Sequence, residues 1–581
     1  MSELAILDAD SKGWQQAYRC ANYLLNEGIG VSWATEPFSS VSGSGEKTDH
    51  SRGALLISDP DVWREAVTDR FGLEPVDAAD IDGFAGLALK RLRIGHYGGG
   101  GAPMNHARIF AELGFLVDFI EPQEIRMGRL EEFDMLIIPG GGGLGMIGQL
   151  KPLGDAGCRM VTEFVQQGGM YVGACAGSFD GAIAPDVFLA DCPEQKHMQL
   201  ANAAIWNQGD AWLGLESPGV GVIESRNTAP DHPLMFGMPE RFAITHYNGP
   251  IFEPKNDTIS GASDMIAFAS VAGATEDFTP SEYFLRWSEF DADEAKGNTL
   301  LSRAVDGGHS NIVGGYNGLG RVVLFGSHAE FGYNLAMDKW DAPARMLANA
   351  AFWQAGHLAE SRPLARKKTS GIAHSYPPGD GLKTVSGRIP DIVAATDDLR
   401  DRDVSQAPWL SDDHAMSTFG LSGRQIWAQN LQTFATVTDE MEATIAKSAD
   451  VVEEARLLRP RLLEAGKKGL ADEIEDALLA LEEAIHYRAP AEWHHDFGYE
   501  GALQMLDRID AMLGRAKDNF SEAFDPTSNP YQHFEDSPFH LVVGSYLSAI
   551  GVYASCWFLL RVHFLRLNEL VYRGGKTLQK G

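Results

Sequence analysis

The stretch Gly173-Ala174-Cys175-Ala176-Gly177-Ser178 limits what this chain can fold into more than any other segment. It follows the apolar run Met170-Tyr171-Val172 and sets one cysteine among small residues. An apolar strand ending in Gly-x-Cys-x-Gly has the layout of a nucleophile elbow. Its small residues permit a tight strand-to-helix turn that thrusts the nucleophile out at the top of a sheet in a strained conformation. The helix N-terminus that follows offers N–H groups and the positive end of a dipole, which favour a thiolate and can hold an oxyanion. A packing turn around a buried cysteine would use the same residues, so the neighbourhood has to decide.

The neighbourhood fits the elbow. Phe133-Asp134-Met135-Leu136-Ile137-Ile138-Pro139 reads as a buried strand that empties into Gly140-Gly141-Gly142-Gly143. Far downstream, Arg321-Val322-Val323-Leu324-Phe325-Gly326 reads as another strand and ends in Ser327-His328-Ala329-Glu330. All three features sit at the C-terminal end of a strand, where open α/β sheets bind ligands.

Strand, Pro-Gly-Gly, helix, strand, cysteine elbow and a late His-x-Glu resemble, in that order, the class I glutamine amidotransferase-like superfamily. Within it the chain is most similar to proteins with a biotin-protein-ligase amino-terminal-like domain. Their cysteine loop reads Gly-x-Cys-Ala-Gly, and a Tyr-x-Gly-Pro element precedes their final strands. Here that element is Tyr247-Asn248-Gly249-Pro250, just after His246. The resemblance covers residues 91–357 and implies an α/β fold: a flavodoxin-like, doubly wound, mainly parallel sheet with a cysteine nucleophile elbow.

The roles it implies are Cys175 as nucleophile, His328 as its base and Glu330 as the group that orients the imidazole. Backbone N–H groups near Gly141 and at Ala176 would form the oxyanion hole, and Gly142, His246, Tyr247 and Asn248 would contact substrate. The expected reaction is cysteine-dependent hydrolysis, or acyl or amido transfer, at the amide C–N bond of a small molecule through an acyl-enzyme. One departure matters: true glutamine amidotransferases usually carry glutamine where this chain has Ser178. Two alternatives stand beside the hydrolase reading. One is a non-catalytic ligand-binding or redox-sensing interaction protein. The other is a glutaminase subunit that supplies ammonia to a separate synthetase.

Charge and cysteine usage narrow the partners. With 48 basic against 80 acidic side chains the formal charge is −32, which argues against nucleic acid as a partner. The five cysteines are scattered, with no Cys-x-x-Cys pair, which argues against a disulfide framework or a zinc site and suits a reducing cytoplasm. No metal or cofactor is expected. The first residues, Met1-Ser2-Glu3-Leu4-Ala5, lack the basic-then-apolar order of a secretory signal.

The 581 residues divide into four stretches by pattern. Residues 1–90 alternate short strands with a helix and read as an accessory α/β subdomain, a flavodoxin-like fragment. Residues 91–358 hold the elbow. The glycine run Gly98–Gly101 in this stretch lacks the Gly-Lys-Ser/Thr of a phosphate loop and reads as a crevice loop. Trp206, Trp212, Phe252, Tyr283 and Trp287 are expected to wall the pocket. Residues 359–415, rich in Pro, Gly, Ser and Asp, read as linker.

Residues 416–581 carry helical periodicity and read as an antiparallel bundle, available for a homo-oligomer or a partner protein. Candidate helices there are 421–449, 451–465, 470–487, 499–516 and 539–572. Leu541–Leu560 has no charge and is long enough to cross a bilayer. The amphipathic helices before it need an apolar partner and no second span accompanies it, so a central bundle helix is expected there instead of a membrane anchor.

Overall fold

The computed structural model describes residues 4–8, 13–58, 65–98, 104–140, 145–207, 220–247, 249–275, 301–332, 340–358, 377–402, 423–488, 500–523 and 545–579. An 11-stranded mixed sheet forms its centre. Leu116–Ile120, Arg93–Tyr97, Met135–Ile138, Met170–Ala174 and Gly320–Phe325 lie side by side in that spatial order, all parallel. The sheet then continues antiparallel through Ser310–Asn317, Ile266–Ala274, Val220–Asn227 and Arg241–Tyr247.

The expectation of a mainly parallel sheet therefore holds for one half and fails for the other. The connections explain why. Gly318-Leu319 closes a two-residue loop between paired Asn317 and Gly320, with Gly318 at φ 59°, and such a loop can only reverse the chain. Parallel neighbours need a long crossover, here supplied by helices such as Asn105–Glu112 and Gly145–Gln166.

Successive strand residues point to opposite faces. Met135 and Ile137 enter one core with residues of the helices Asn105–Glu112 and Ala344–Ala355. Leu136 and Ile138 enter a second core with residues of Gly145–Gln166. Because both faces are covered, the strand is apolar throughout rather than alternating.

Before residue 90 the chain is indeed a mixture of strands and one helix, but it is no flavodoxin-like fragment. Leu55–Ile57 lies between Leu4–Leu7 and Val31–Ala34 and runs antiparallel to both. With the Trp14–Asn26 helix as the one α-helix among these described residues, later strands insert and pair antiparallel.

The linker reading of 359–415 fails at Asp380–Arg400, which is a helix packed against three others of the C-terminal region. Leu382, Val385, Ile389, Ile392, Thr396 and Leu399 are its buried face, spaced three and four apart. Pro377-Pro378-Gly379 and Pro390 drew attention away from that period. The expected helices 421–449 and 451–465 are one continuous helix, Gly423–Glu464, since nothing between them breaks the ladder. Lys468–His486, Ala502–Ala523 and Ser545–Gln579 complete the group.

The last of these, the terminal helix, contains the apolar segment. Its stretch from Ala549 is long and apolar enough to cross a membrane, yet 83% of the apolar window is buried within the protein. The helix packs against Gly423–Glu464, Lys468–His486 and Ala502–Ala523 and also against Asn105–Glu112 beside the central sheet. Trp557 sits at that junction, its Nε1 donating to Thr444 Oγ1 at 3.2 Å while the Arg108 guanidinium lies 4.9 Å from its ring centroid. Trp557→Ala should destabilise the chain by about 3–5 kcal/mol. A denaturant melt would read this, and a near-neutral substitution would mean that the helix is not the core of the bundle.

Candidate active site

Cys175 stands between the strand Met170–Ala174 and the short helix Ala176–Gly181. Its backbone adopts φ 48°, ψ −110°, and only Asp257 joins it among the described non-glycine residues with positive φ. Such a conformation survives when surrounding bonds over-determine it. Here the Cys175 N–H donates to the Phe325 carbonyl at 2.8 Å and the Gly177 N–H donates to the Pro139 carbonyl at 3.2 Å. Ser178 Oγ, fully buried, donates to the Cys175 carbonyl at 2.6 Å. The Ala176 N–H makes no backbone hydrogen bond among the described residues, as expected for the first residue of a helix.

The strand Gly320–Phe325 lies next to Met170–Ala174 and ends beside it, so Ser327 to Glu330 arrive at the same sheet edge. His328 Nδ1 and Glu330 Oε1 are 2.6 Å apart, and both side chains are buried. The other face of the imidazole meets Phe331, with centroids 4.8 Å apart and planes nearly parallel at 13°. Cys175 is close enough to act electrostatically on His328 as well. With Nδ1 engaged by the carboxylate, Nε2 is the nitrogen left for the thiol. Gly140 lets the two meet: a Cβ there would lie 2.5 Å from Cys175 Cβ and 3.0 Å from His328 Cε1.

The structure thus brings Cys175, His328 and Glu330 together with Ala176 beside them. Gly141, Gly142 and Asn248 lie outside the described residues, as do the Tyr247 side chain and Trp212, Tyr283 and Trp287. Phe252 is a core residue rather than a pocket wall, and Trp206 stacks on His309 at 4.2 Å.

His246 is no rival base. It is fully buried, and burial, helped by nearby His328, pushes its imidazole down to about 3. Its Nδ1 lies 3.1 Å from Ser327 Oγ, which also accepts from Asn311 Nδ2 at 2.9 Å. On the same strand the Thr245 carbonyl accepts from the His328 N–H at 2.7 Å. Gly249 packs its backbone directly on the Gly326 carbonyl, where any side chain would collide. Gly249 and Pro250 therefore brace the loop that carries His328.

Comparison with known proteins adds a limited likeness. Residues 115–186 match the family described as biotin-protein ligase, N terminal. That span runs from the edge strand of the parallel half through the cysteine turn. No curated protein matches the chain. Among solved structures, a thua-like protein from Bacteroides uniformis is 13% identical, covering 47% of this chain and 95% of its own, with a TM-score of 0.29. PurLQS from Thermotoga maritima is 13% identical over 45% of this chain and 97% of its own, with a TM-score of 0.26. A cytoplasmic protein from Salmonella typhimurium is 10% identical over 45% and 98%, also with a TM-score of 0.26.

The electrostatics centre on Glu330. Burial alone would raise its carboxyl, but His106 and His328 outweigh that and hold it well below the usual carboxylate range. Burial alone would likewise lower His328, yet Glu330 and Cys175 push the imidazole up to about 10. His106, which sequence reasoning missed, places Nε2 3.3 Å from Glu330 Oε2. Its neighbour Asn105 donates from Nδ2 to the Glu330 carbonyl at 2.5 Å. Nothing in the sequence marks these two residues. They begin the first helix after the glycine run, and only the fold carries that helix to the later strand.

These contacts give two expected outcomes. His106→Ala should slow iodoacetamide alkylation of Cys175 severalfold, and His106→Gln, which keeps a donor, should restore most of the rate. Equal rates in all three proteins would make His106 mere packing.

The second outcome concerns pH. Stability from the depressed Glu330 is present above its ordinary 4.5 and lost as pH falls below that. Stability from the raised His328 is present below its ordinary 6.5 and lost as pH rises through about 10. Glu330→Gln should therefore show its largest melting deficit between those two ordinary values. A deficit independent of pH would contradict the pairing.

Proposed function

We propose that this chain is a thiol-dependent hydrolase or transferase acting on the amide-type carbonyl of a small molecule, with Cys175 as nucleophile. The observation that carries the reading is a backbone-strained cysteine facing an imidazole whose charge is sustained by a buried carboxylate.

In this mechanism the Cys175 thiolate attacks the carbonyl carbon, and the oxygen takes the negative charge. The Ala176 N–H at the helix start is positioned to receive it, with Gly141 as the proposed second donor. The C–N bond then breaks as protonated His328 gives its proton to the leaving nitrogen, and a thioester remains on Cys175. His328, now neutral, takes a proton from water or an acceptor amine, whose attack releases the acyl group and restores the thiolate. Glu330 stays ionised throughout and holds the imidazole by Nδ1. His246 and Ser327 keep the histidine loop in place, and Gly142, Tyr247 and Asn248 are the proposed substrate contacts.

Ser178 bears on the substrate. Its hydroxyl is spent inside the turn on the Cys175 carbonyl, so it offers substrate nothing. This favours an amide other than glutamine. The match at 115–186 supports kinship with biotin-protein-ligase N-terminal domains for that segment. The spatial order second, first, third, fourth, fifth of the parallel strands supports a flavodoxin-like core. All five cysteines are unpaired, which favours residence in a reducing compartment.

Intact-mass spectrometry after incubation with a panel of small amides, glutamine included, tests the proposal. The expected result is an acyl adduct on the wild-type chain that is absent from Cys175→Ala and at least about a hundredfold slower to form in His328→Ala. A Cys175 that neither acylates nor alkylates faster than an ordinary thiol would overturn the enzymatic reading.

A further inference from the structure

A second site lies at the opposite edge of the central sheet from the thiol. A cavity of about 110 Å³ opens where the Trp14–Asn26 helix, the starts of strands Arg93–Tyr97 and Leu116–Ile120, and the terminal helix converge. Cys175 follows the C-terminal end of its strand, whereas Arg93 and Leu116 are strand starts, so the cavity and the thiol lie at opposite ends of the parallel strands. In a chain of net charge −32, this cavity is lined by six arginines and four acids.

The acids are already engaged. Asp118 pairs with Arg93 at 2.6 Å and with Arg566 at 2.9 Å. Glu569 holds Arg70 at 2.5 Å, and Arg573 approaches Glu473 at 3.6 Å. Glu112 is met by Arg561 at 3.4 Å and accepts from Trp340 Nε1 at 3.1 Å. Arg19 remains, with no hydrogen bond or ion pair among the described residues. Arg93 is 4% exposed, and its Nη1 has no acceptor among them either.

The local field is unfavourable to these cations. Arg19 is solvent-exposed, and partial burial together with nearby Arg70 and Arg561 disfavours its charge against the opposing pull of Glu112. Burial, with Arg573 and Arg93 nearby, disfavours the Arg91 charge in the same way against the pull of Glu473. A guanidinium does not give up its proton, so an anion seated among these groups would relieve that field.

We propose that this arginine-lined cavity binds a phosphoryl group, as inorganic phosphate or as the head of a small phosphomonoester. The guanidinium fork suits phosphate oxygens in pairs. The volume, well short of the ~300–1,000 Å³ of pockets that enclose larger ligands, suits an oxyanion rather than a nucleotide. Since three parts of the chain line the cavity, the bound group would clamp the N-terminal unit and the terminal helix to the sheet.

Isothermal titration of the full chain with inorganic phosphate, at constant ionic strength set by chloride, tests this. Saturable binding is expected in the wild type and in Cys175→Ala, which keeps the result separate from the proposed chemistry. Arg19→Ala should bind at least tenfold more weakly, while its phosphate-free melting temperature should stay close to that of the wild type because the side chain is exposed and makes no ion pair among the described residues. Competition by glycerol 3-phosphate would assign the site to the phosphoryl group of a metabolite, and its failure to compete would assign it to the free ion. Absence of saturable heat in the wild type, or unchanged affinity in Arg19→Ala, would overturn the proposal.

Discussion

The Glu330 carboxylate decides whether the residues around Cys175 form a chemical site or an inert turn. It is buried, and a buried carboxylate is tolerated only where partners replace the water it has lost. Two imidazoles do so, His328 at one oxygen and His106 at the other. His328 comes from the turn after the strand beside the cysteine strand, His106 from a helix near the start of the same sheet. Their meeting on one carboxylate ties early and late segments together, and it holds the imidazole by Nδ1 so that Nε2 is left for the sulfur.

Around that pair the sheet divides its labour. The parallel half delivers the cysteine turn, Gly140 and the histidine to one edge. The antiparallel half supplies braces: the Thr245 carbonyl on the His328 N–H, His246 on Ser327, and Gly249 against Gly326. His246, expected to contact substrate, instead meets Ser327 in the loop that carries His328. A neutral, fully buried histidine such as His246 suits that role because it needs no counter-charge where water is absent.

Much of this was legible in the sequence wherever the signal is local. The elbow, the Met135–Ile138 strand and the His-x-Glu ending are contiguous, and each sits on the element that its own apolar pattern predicts. What escaped was non-local or masked by punctuation. His106 carries no motif, and its value arises from a contact across 224 positions with Glu330. The helix Asp380–Arg400 hid behind prolines although its apolar spacing was present. The antiparallel half of the sheet was lost because runs such as Ser310–Asn317 and Gly320–Phe325 are buried on both faces, and burial alone gives no direction.

The terminal helix has a consequence for how the site comes into being. Trp557 and Phe558 on that helix lie against Arg108, whose guanidinium donates to Asn105 Oδ1, and Asn105 in turn holds the Glu330 carbonyl. Cys175, His328 and Glu330 leave the ribosome long before residues 545–579 do. Until those residues dock, Arg108 lacks its aromatic shelf, and the helix bearing Asn105 and His106 has one side uncovered. Order of synthesis thus bears on assembly: the carboxylate's outer support comes from residues made well after the thiol and the imidazole, and it is complete only once they have docked.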